Sequence, residues 1–219
     1  MKIDDMHFFN MGYLDIKLPD NLFQSLKNEC YTTGYKNEEM VSAITGSGVP
    51  VHRYIENKEN LQNLQDFLKT LVPIYKERYG LDPSDGIINR SINYENSVNK
   101  TKFIIHRPWI NYHKKHEFIP KHNHLGVFSY TIWINIPYNS EDEIKQGNEY
   151  ASCFQFHYTD TLGGTQKVTI RLNKNDAGRM LFFPSLLSHQ VYPFYTSNET
   201  RISISGNLSV NIDNIGENL

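Results

Sequence analysis

The chain has 219 residues, 39% of them hydrophobic and 13% aromatic, enough to bury one sizeable core. Its 22 basic and 24 acidic side chains leave a formal charge of -2. That balance lacks the broad basic footprint of a general nucleic-acid binder, so nucleic acid is not an expected partner. Cys30 and Cys153 fall in no CxxC or zinc-like spacing and read as packing residues in a reducing compartment. The N-terminal "MKIDDMHFFN" has acids where a secretory signal has a basic and then an apolar run. No apolar stretch approaches membrane-spanning length, and a cytoplasmic protein is expected.

In chain order, "PDNLFQSLKNECYTTG" predicts a helix with Asp20 as its cap, Leu22, Phe23, Leu26 and Cys30 on one face, and Gly34 as its stop. A second helix is predicted in "ENKENLQNLQDFLKTLVPIYKERYG". Leu61, Leu64, Phe67, Leu68, Leu71 and Tyr75 recur there at three and four residues, and Gly80 ends it. Pro73 is expected to kink or shorten this helix. After the turn-rich "LDPSDG" the period changes to strands, predicted at 103–112, 126–136, 152–158, 167–172, 179–183, 189–192 and 201–210. "TDTLGGTQ" reads as a hairpin, and the acidic "NSEDEIKQGNE" (139–149) as a solvated loop. Seven strands in series after two helices predict a mainly β, α+β fold: an antiparallel sandwich or barrel with the helices packed on one sheet. The expected organisation is a single domain over 1–219, with 1–85 as helical support and 100–210 as the β core.

His122 and His124 lie two apart in "PKHNHLGVFSYTIWINIPY". Side chains two apart on a strand share a face, the spacing of a bidentate metal site, although the pair alone fits a structural role better. Far downstream, His189 follows an apolar strand that ends at Pro184 and Ser185. Arg201 then opens "RISISGNLSV", where Arg201 and Ser203 share a strand face. An arginine facing a barrel interior is costly unless it meets an anion, and a carboxylate gripped by Arg201 and Ser203 would offset that cost. His7, His52, His106, His113, His116 and His157 have no comparable flanks and read as surface or supporting residues. Trp109 and Trp133 read as core, and Asn207 as either a pocket or a turn residue.

The segments "HNHLGVFSYTIWINIP", "FPSLLSHQVYP" and "RISISGN" resemble the Fe(II)- and 2-oxoglutarate-dependent oxygenases, closest to members found in tailed bacteriophages and similar to prolyl hydroxylases. The resemblance covers about residues 100–210. It implies a double-stranded β-helix, the cupin-like jelly roll, and a reaction that uses Fe(II), 2-oxoglutarate and dioxygen. Such an enzyme hydroxylates an unactivated C–H bond, for example in a protein or amino-acid side chain such as proline, and releases succinate and CO2. A phage-encoded member would act in the host cytoplasm.

By the same resemblance His122, His124 and His189 are the metal-binding catalytic set. Arg201, helped by Ser203, grips the remote carboxylate of 2-oxoglutarate, and Tyr112 reaches it too, unless it is an ordinary strand aromatic. Most relatives carry a carboxylate at the position of His124. Either His124 binds, or Glu149 or Asp160 substitutes, or the position stays open to water or halide. Two other readings fit the residues: a cupin-type three-histidine enzyme that ignores 2-oxoglutarate, and a catalytically silent jelly-roll module.

Overall fold

The computed structural model describes residues 11–32, 51–79, 103–146 and 148–210. Its first strand, β1 (Leu14–Lys17), leads into α1 (Asp20–Thr32). β2 (Val51–Tyr54) and α2 (Lys58–Tyr79) follow. The β region then runs β3 (Phe103–Ile105), β4 (Trp109–His113), β5 (Ile119–His122), β6 (Phe128–Asn135), a short helix α3 (Ser140–Gln146), β7 (Phe154–Thr159), β8 (Thr165–Ile170), β9 (Arg179–Pro184), β10 (Ser188–Val191) and β11 (Arg201–Val210). A seven-stranded sheet has the order β1-β9-β6-β11-β4-β2, with β3 also paired to β11, and a four-stranded sheet has the order β5-β10-β7-β8. Every pairing is antiparallel.

Strand alternation sorts the side chains of the large sheet into two layers. Phe128, Tyr130, Ile132, Ile134, Met180, Phe182, Ile202 and Ile204 bury against Leu22, Phe23, Leu26 and Cys30 of α1 and Leu64, Leu68, Leu71 and Tyr75 of α2. Trp133, Leu181 and Phe183 face the other way and pack against Phe154, Phe156 and Ile170 of the small sheet. The helices therefore cover one sheet, and the opposite face of that sheet meets the small sheet.

Several expectations need correction. α2 is not shortened at Pro73 and runs on to Tyr79. Pro73 is exposed, so the carbonyl that loses its partner one turn earlier can turn to water. The strands β1 and β2 lie in the part of the chain read as wholly helical, and β3 and β4 divide the run read as one strand. Gly34, Gly80 and "LDPSDG" fall outside the described residues. The β7–β8 hairpin is as expected, with Gly163 at a φ of 85.

The acidic segment is not a solvated loop. Residues 140–146 form α3, and Glu143 is fully buried. Its carboxylate accepts hydrogen bonds from the Tyr195 N–H (2.5 Å), the Thr196 N–H (2.9 Å) and the Thr196 hydroxyl. Glu143 thus fastens the loop that delivers the chain into β11. Glu143→Ala is expected to destabilise the protein by about 3 kcal/mol or more, because it strands buried donors. Chemical denaturation against wild type checks this value.

Candidate metal centre

Three histidines converge where the small sheet meets the end of β9. His122 closes β5 and is paired directly with His189 of β10. Their ring centroids are 4.4 Å apart, and His124 lies 4.8 Å from His122 and 5.1 Å from His189. One ring nitrogen from each falls within 4.8 Å of the others. His122 Nδ1 lies 2.8 Å from the Pro120 carbonyl and His189 Nδ1 lies 2.9 Å from the Leu187 carbonyl. A carbonyl only accepts, so both Nδ1 atoms carry the proton and both Nε2 lone pairs are left for a metal.

His124 is held differently from the sequence expectation. The strand ends at His122, and His124 belongs to the following loop. Its backbone N–H donates to the Ser185 carbonyl (2.9 Å), while the Ser185 N–H donates to Val127 O (3.0 Å) and the Val127 N–H to Leu208 O (2.8 Å). Beneath this ladder Ser129 Oγ lies 3.0 Å from Ser185 Oγ and 2.7 Å from Asn207 Oδ1, so Asn207 supports the loop instead of closing a turn. Gly126 turns the loop at a φ of 113, and a Cβ there would lie 2.8 Å from Leu208 O. Gly126→Ala should therefore displace His124 and, if this ring is one of the metal's ligands, weaken metal binding about tenfold or more. Calorimetric titration with Fe(II) under anaerobic conditions reads this.

The site is apolar around the three imidazoles. The His189 ring stacks on Phe154 at 5.3 Å and meets Phe183 edge-on at 5.0 Å, and Trp109 lies 5.7 Å from His124. Burial, reinforced by the neighbouring His122, lowers His124 to about 4. Burial, followed by His122, lowers His189 to about 3 against a hydrogen bond to Leu187 that works the other way. Both rings are thus neutral, the form a metal requires.

A histidine held below its ordinary 6.5 binds its proton more readily in the unfolded chain, so it favours folding above that value. The metal-free protein should lose stability as pH falls from about 6.5 towards 4. Thermal melts across that range, compared with His124→Asn, test the sign.

Deeper between the sheets, Arg201 is 1% exposed. Its Nη1 donates to Tyr138 Oη (3.0 Å), Tyr192 O (3.2 Å) and Ser152 O (3.4 Å), and its Cζ lies 5.3 Å from the Phe194 ring centre. Nη2 is buried and has no partner among the described residues. No acidic side chain pairs with this guanidinium among the described residues, and a buried cation in that state calls for an anionic ligand. Ser203 follows on the same strand face, its Oγ 3.4 Å from Asn111 Nδ2.

A family described as "Putative 2OG-Fe(II) oxygenase" matches residues 107–207, which span all three histidines and Arg201. Over residues 107–207 the chain is similar to this 2OG-Fe(II) oxygenase family.

The match implies an oxygenase that works with Fe(II), 2-oxoglutarate and dioxygen. The convergent ring nitrogens and the Arg201 Nη2, which has no partner among the described residues, fit the first two. Its fold is similar to that of a prolyl-4-hydroxylase from Pseudomonas putida (13% identity, 92% of this chain and 94% of that one, TM-score 0.56). It is also similar to a viral collagen prolyl hydroxylase from Paramecium bursaria Chlorella virus-1 in complex with 2OG (12%, 91% and 96%, 0.53). An alpha-ketoglutarate-dependent carbocyclase from nogalamycin biosynthesis has the same fold (13%, 93% and 81%, 0.52). These likenesses support the jelly roll expected for the oxygenase. No curated protein matches the chain.

The remaining candidate residues separate clearly. Tyr112 is not brought to the site: its hydroxyl donates to the Cys30 carbonyl of α1 (2.8 Å), on the helix side of the sheet. On an alternating strand its neighbours Asn111 and His113 face the other way, and the role expected of Tyr112 does not carry over. Asp160 lies in the β7–β8 turn, where its carboxylate accepts from the Leu162 and Gly164 N–H groups and from Gln166, and Glu149 is an exposed residue whose carbonyl accepts from Arg171. The cluster contains histidines alone among the described residues.

Two residues were missed in the sequence. His113, read as a surface or supporting residue, is buried in β4 opposite Arg201. Trp109, read as core, is half-buried beside His124. The strand alternation of "WINYH" carried this signal, because Ile110 is apolar and places Trp109, Asn111 and His113 together on the other face.

Proposed function

We propose that the protein is a dioxygenase that hydroxylates an unactivated C–H bond, with His122, His124 and His189 holding Fe(II) and Arg201 and Ser203 holding the far carboxylate of 2-oxoglutarate. The observation that carries this reading is the convergence of one ring nitrogen from each of three histidines together with a buried guanidinium whose Nη2 has no partner among the described residues. When bound, the iron and 2-oxoglutarate supply oxidation of the C–H bond by dioxygen, with succinate and CO2 as coproducts.

The chain's own residues supply position and environment. His122 and His189 are oriented by their carbonyl partners, and His124 by the Ser185 ladder. Three neutral imidazoles leave the full metal charge in place, which strengthens the pull on a dianionic cosubstrate compared with a site containing a carboxylate. Phe154, Phe156 and Phe183 keep water from one side of His189. A three-histidine enzyme without 2-oxoglutarate would leave Arg201 Nη2 idle, so the guanidinium favours the cosubstrate.

For the primary substrate, a protein or amino-acid side chain of apolar character, such as proline, fits best. The two loops beside His124 and ahead of His189 expose Leu125 (88%) and Leu186 (72%), which form an apolar rim next to the metal ligands. Anaerobic titration with Fe(II) and then 2-oxoglutarate tests the reading, by the visible charge-transfer band of a chelated 2-oxo acid. A band is expected, followed in air by succinate and a 16 Da gain on proline-containing peptides. Iron binding without a band would overturn it.

A further inference from the structure

We propose that His113 is a second anchor for the far carboxylate of the cosubstrate, donating a ring N–H to the same group that Arg201 Nη2 is free to hold. The proposal rests on the 2-oxoglutarate reading above.

His113 and Arg201 face each other directly across β4 and β11, so their side chains leave the same face of the sheet as cross-strand neighbours. Both are sealed from solvent, at 2% and 1% exposure. Neither ring nitrogen of His113 has a hydrogen-bond partner among the described residues, and Arg201 Nη2 is in the same position. One register pair therefore concentrates three unused buried polar atoms. Burial without partners costs stability and calls for an explanation at each atom.

A carboxylate resolves this arrangement. It offers about four acceptor sites, of which a guanidinium edge fills at most two and an imidazole N–H a third. Burial first, and the Arg201 charge second, hold His113 well below the ordinary histidine range. The ring is thus neutral and still owns one N–H to donate. Asn111 on the same strand face is already committed to Ser203 and Ser205 (3.4 and 3.2 Å), and Tyr112 is turned to α1. Trp109 lies beside His124, so on β4 His113 is the donor left over opposite Arg201.

The test compares two 2-oxo acids on the Fe(II)-loaded protein without oxygen: 2-oxoglutarate, and 2-oxovalerate, which keeps the chelating head and replaces the far carboxylate with a methyl group. His113→Leu should bind 2-oxoglutarate about 10- to 100-fold more weakly, the worth of a hydrogen bond to a charged group, and bind 2-oxovalerate as wild type does. His113→Gln, which keeps an N–H donor, should recover part of the loss. The metal-free His113→Leu protein should melt at the wild-type temperature or above it, because an unpartnered polar ring has been removed from the interior. If Leu fails to fold, His113→Phe serves the same comparison.

Equal loss for both acids, or no loss for either, would assign His113 to packing and overturn the proposal. A wild type that does not prefer 2-oxoglutarate to 2-oxovalerate would overturn the cosubstrate reading itself, and this inference with it.

Discussion

His189→Ala is expected to abolish stoichiometric Fe(II) binding while leaving the fold intact. His189 makes the closest ring approach in the cluster, 4.4 Å to His122, and it sits in a strand paired on both sides, with β5 and with β7. Loss of a partner that merely orients a ligand costs about 10- to 100-fold in metal affinity, so loss of the ligand itself should exceed that. The backbone pairing of β10 does not need the imidazole. Its removal leaves a small cavity against Phe154 and Phe183, with a stability loss of about 1 to 3 kcal/mol. Calorimetry for iron and circular dichroism for fold separate the two effects. Retained iron binding at wild-type affinity would remove His189 from the ligand set.

Legibility from sequence followed what each pattern encodes. Period-two alternation located the central strands: "FSYTIWIN" and "RISIS" place Ile132, Ile202 and Ile204 against the helices, as alternation requires. The amphipathic stripes of α1 and α2 were equally readable, because one face of each must be buried. Short edge strands such as β1, with four residues, are too brief to establish a period.

At the site, the spacing of His122 and His124 pointed to a shared cavity, yet the cause assumed was wrong. A strand face does not align them; the Ser185 carbonyl captures the loop of His124. Tyr112 failed for the opposite reason. It lies one residue from His113, and on a strand one residue exchanges faces, so its hydroxyl meets Cys30 on the helix side. For His113 the alternation of "WINYH" gives the face, but its pairing with Arg201, 88 positions away, is a register that no local pattern carries.

Arg201→Leu is expected to weaken 2-oxoglutarate binding by a factor on the order of a hundred to a thousand, the effect of removing one partner from a buried charged pair. The metal-free protein should pay little for the change. Arg201 gives up three hydrogen bonds to Tyr138, Ser152 and Tyr192, but it also removes a buried cation that no described carboxylate balances. Arg201→Lys separates charge from shape. Lysine keeps the positive charge and loses the planar fork, so it should bind more tightly than the leucine variant and more weakly than wild type.

The Fe(II)·2-oxo acid band, titrated for each variant, gives the order directly. If all three proteins bind 2-oxoglutarate alike, the guanidinium is structural and the carboxylate is held elsewhere. If leucine matches wild type for 2-oxovalerate and fails for 2-oxoglutarate, the loss belongs to the far carboxylate, since the two acids share the head that meets the metal.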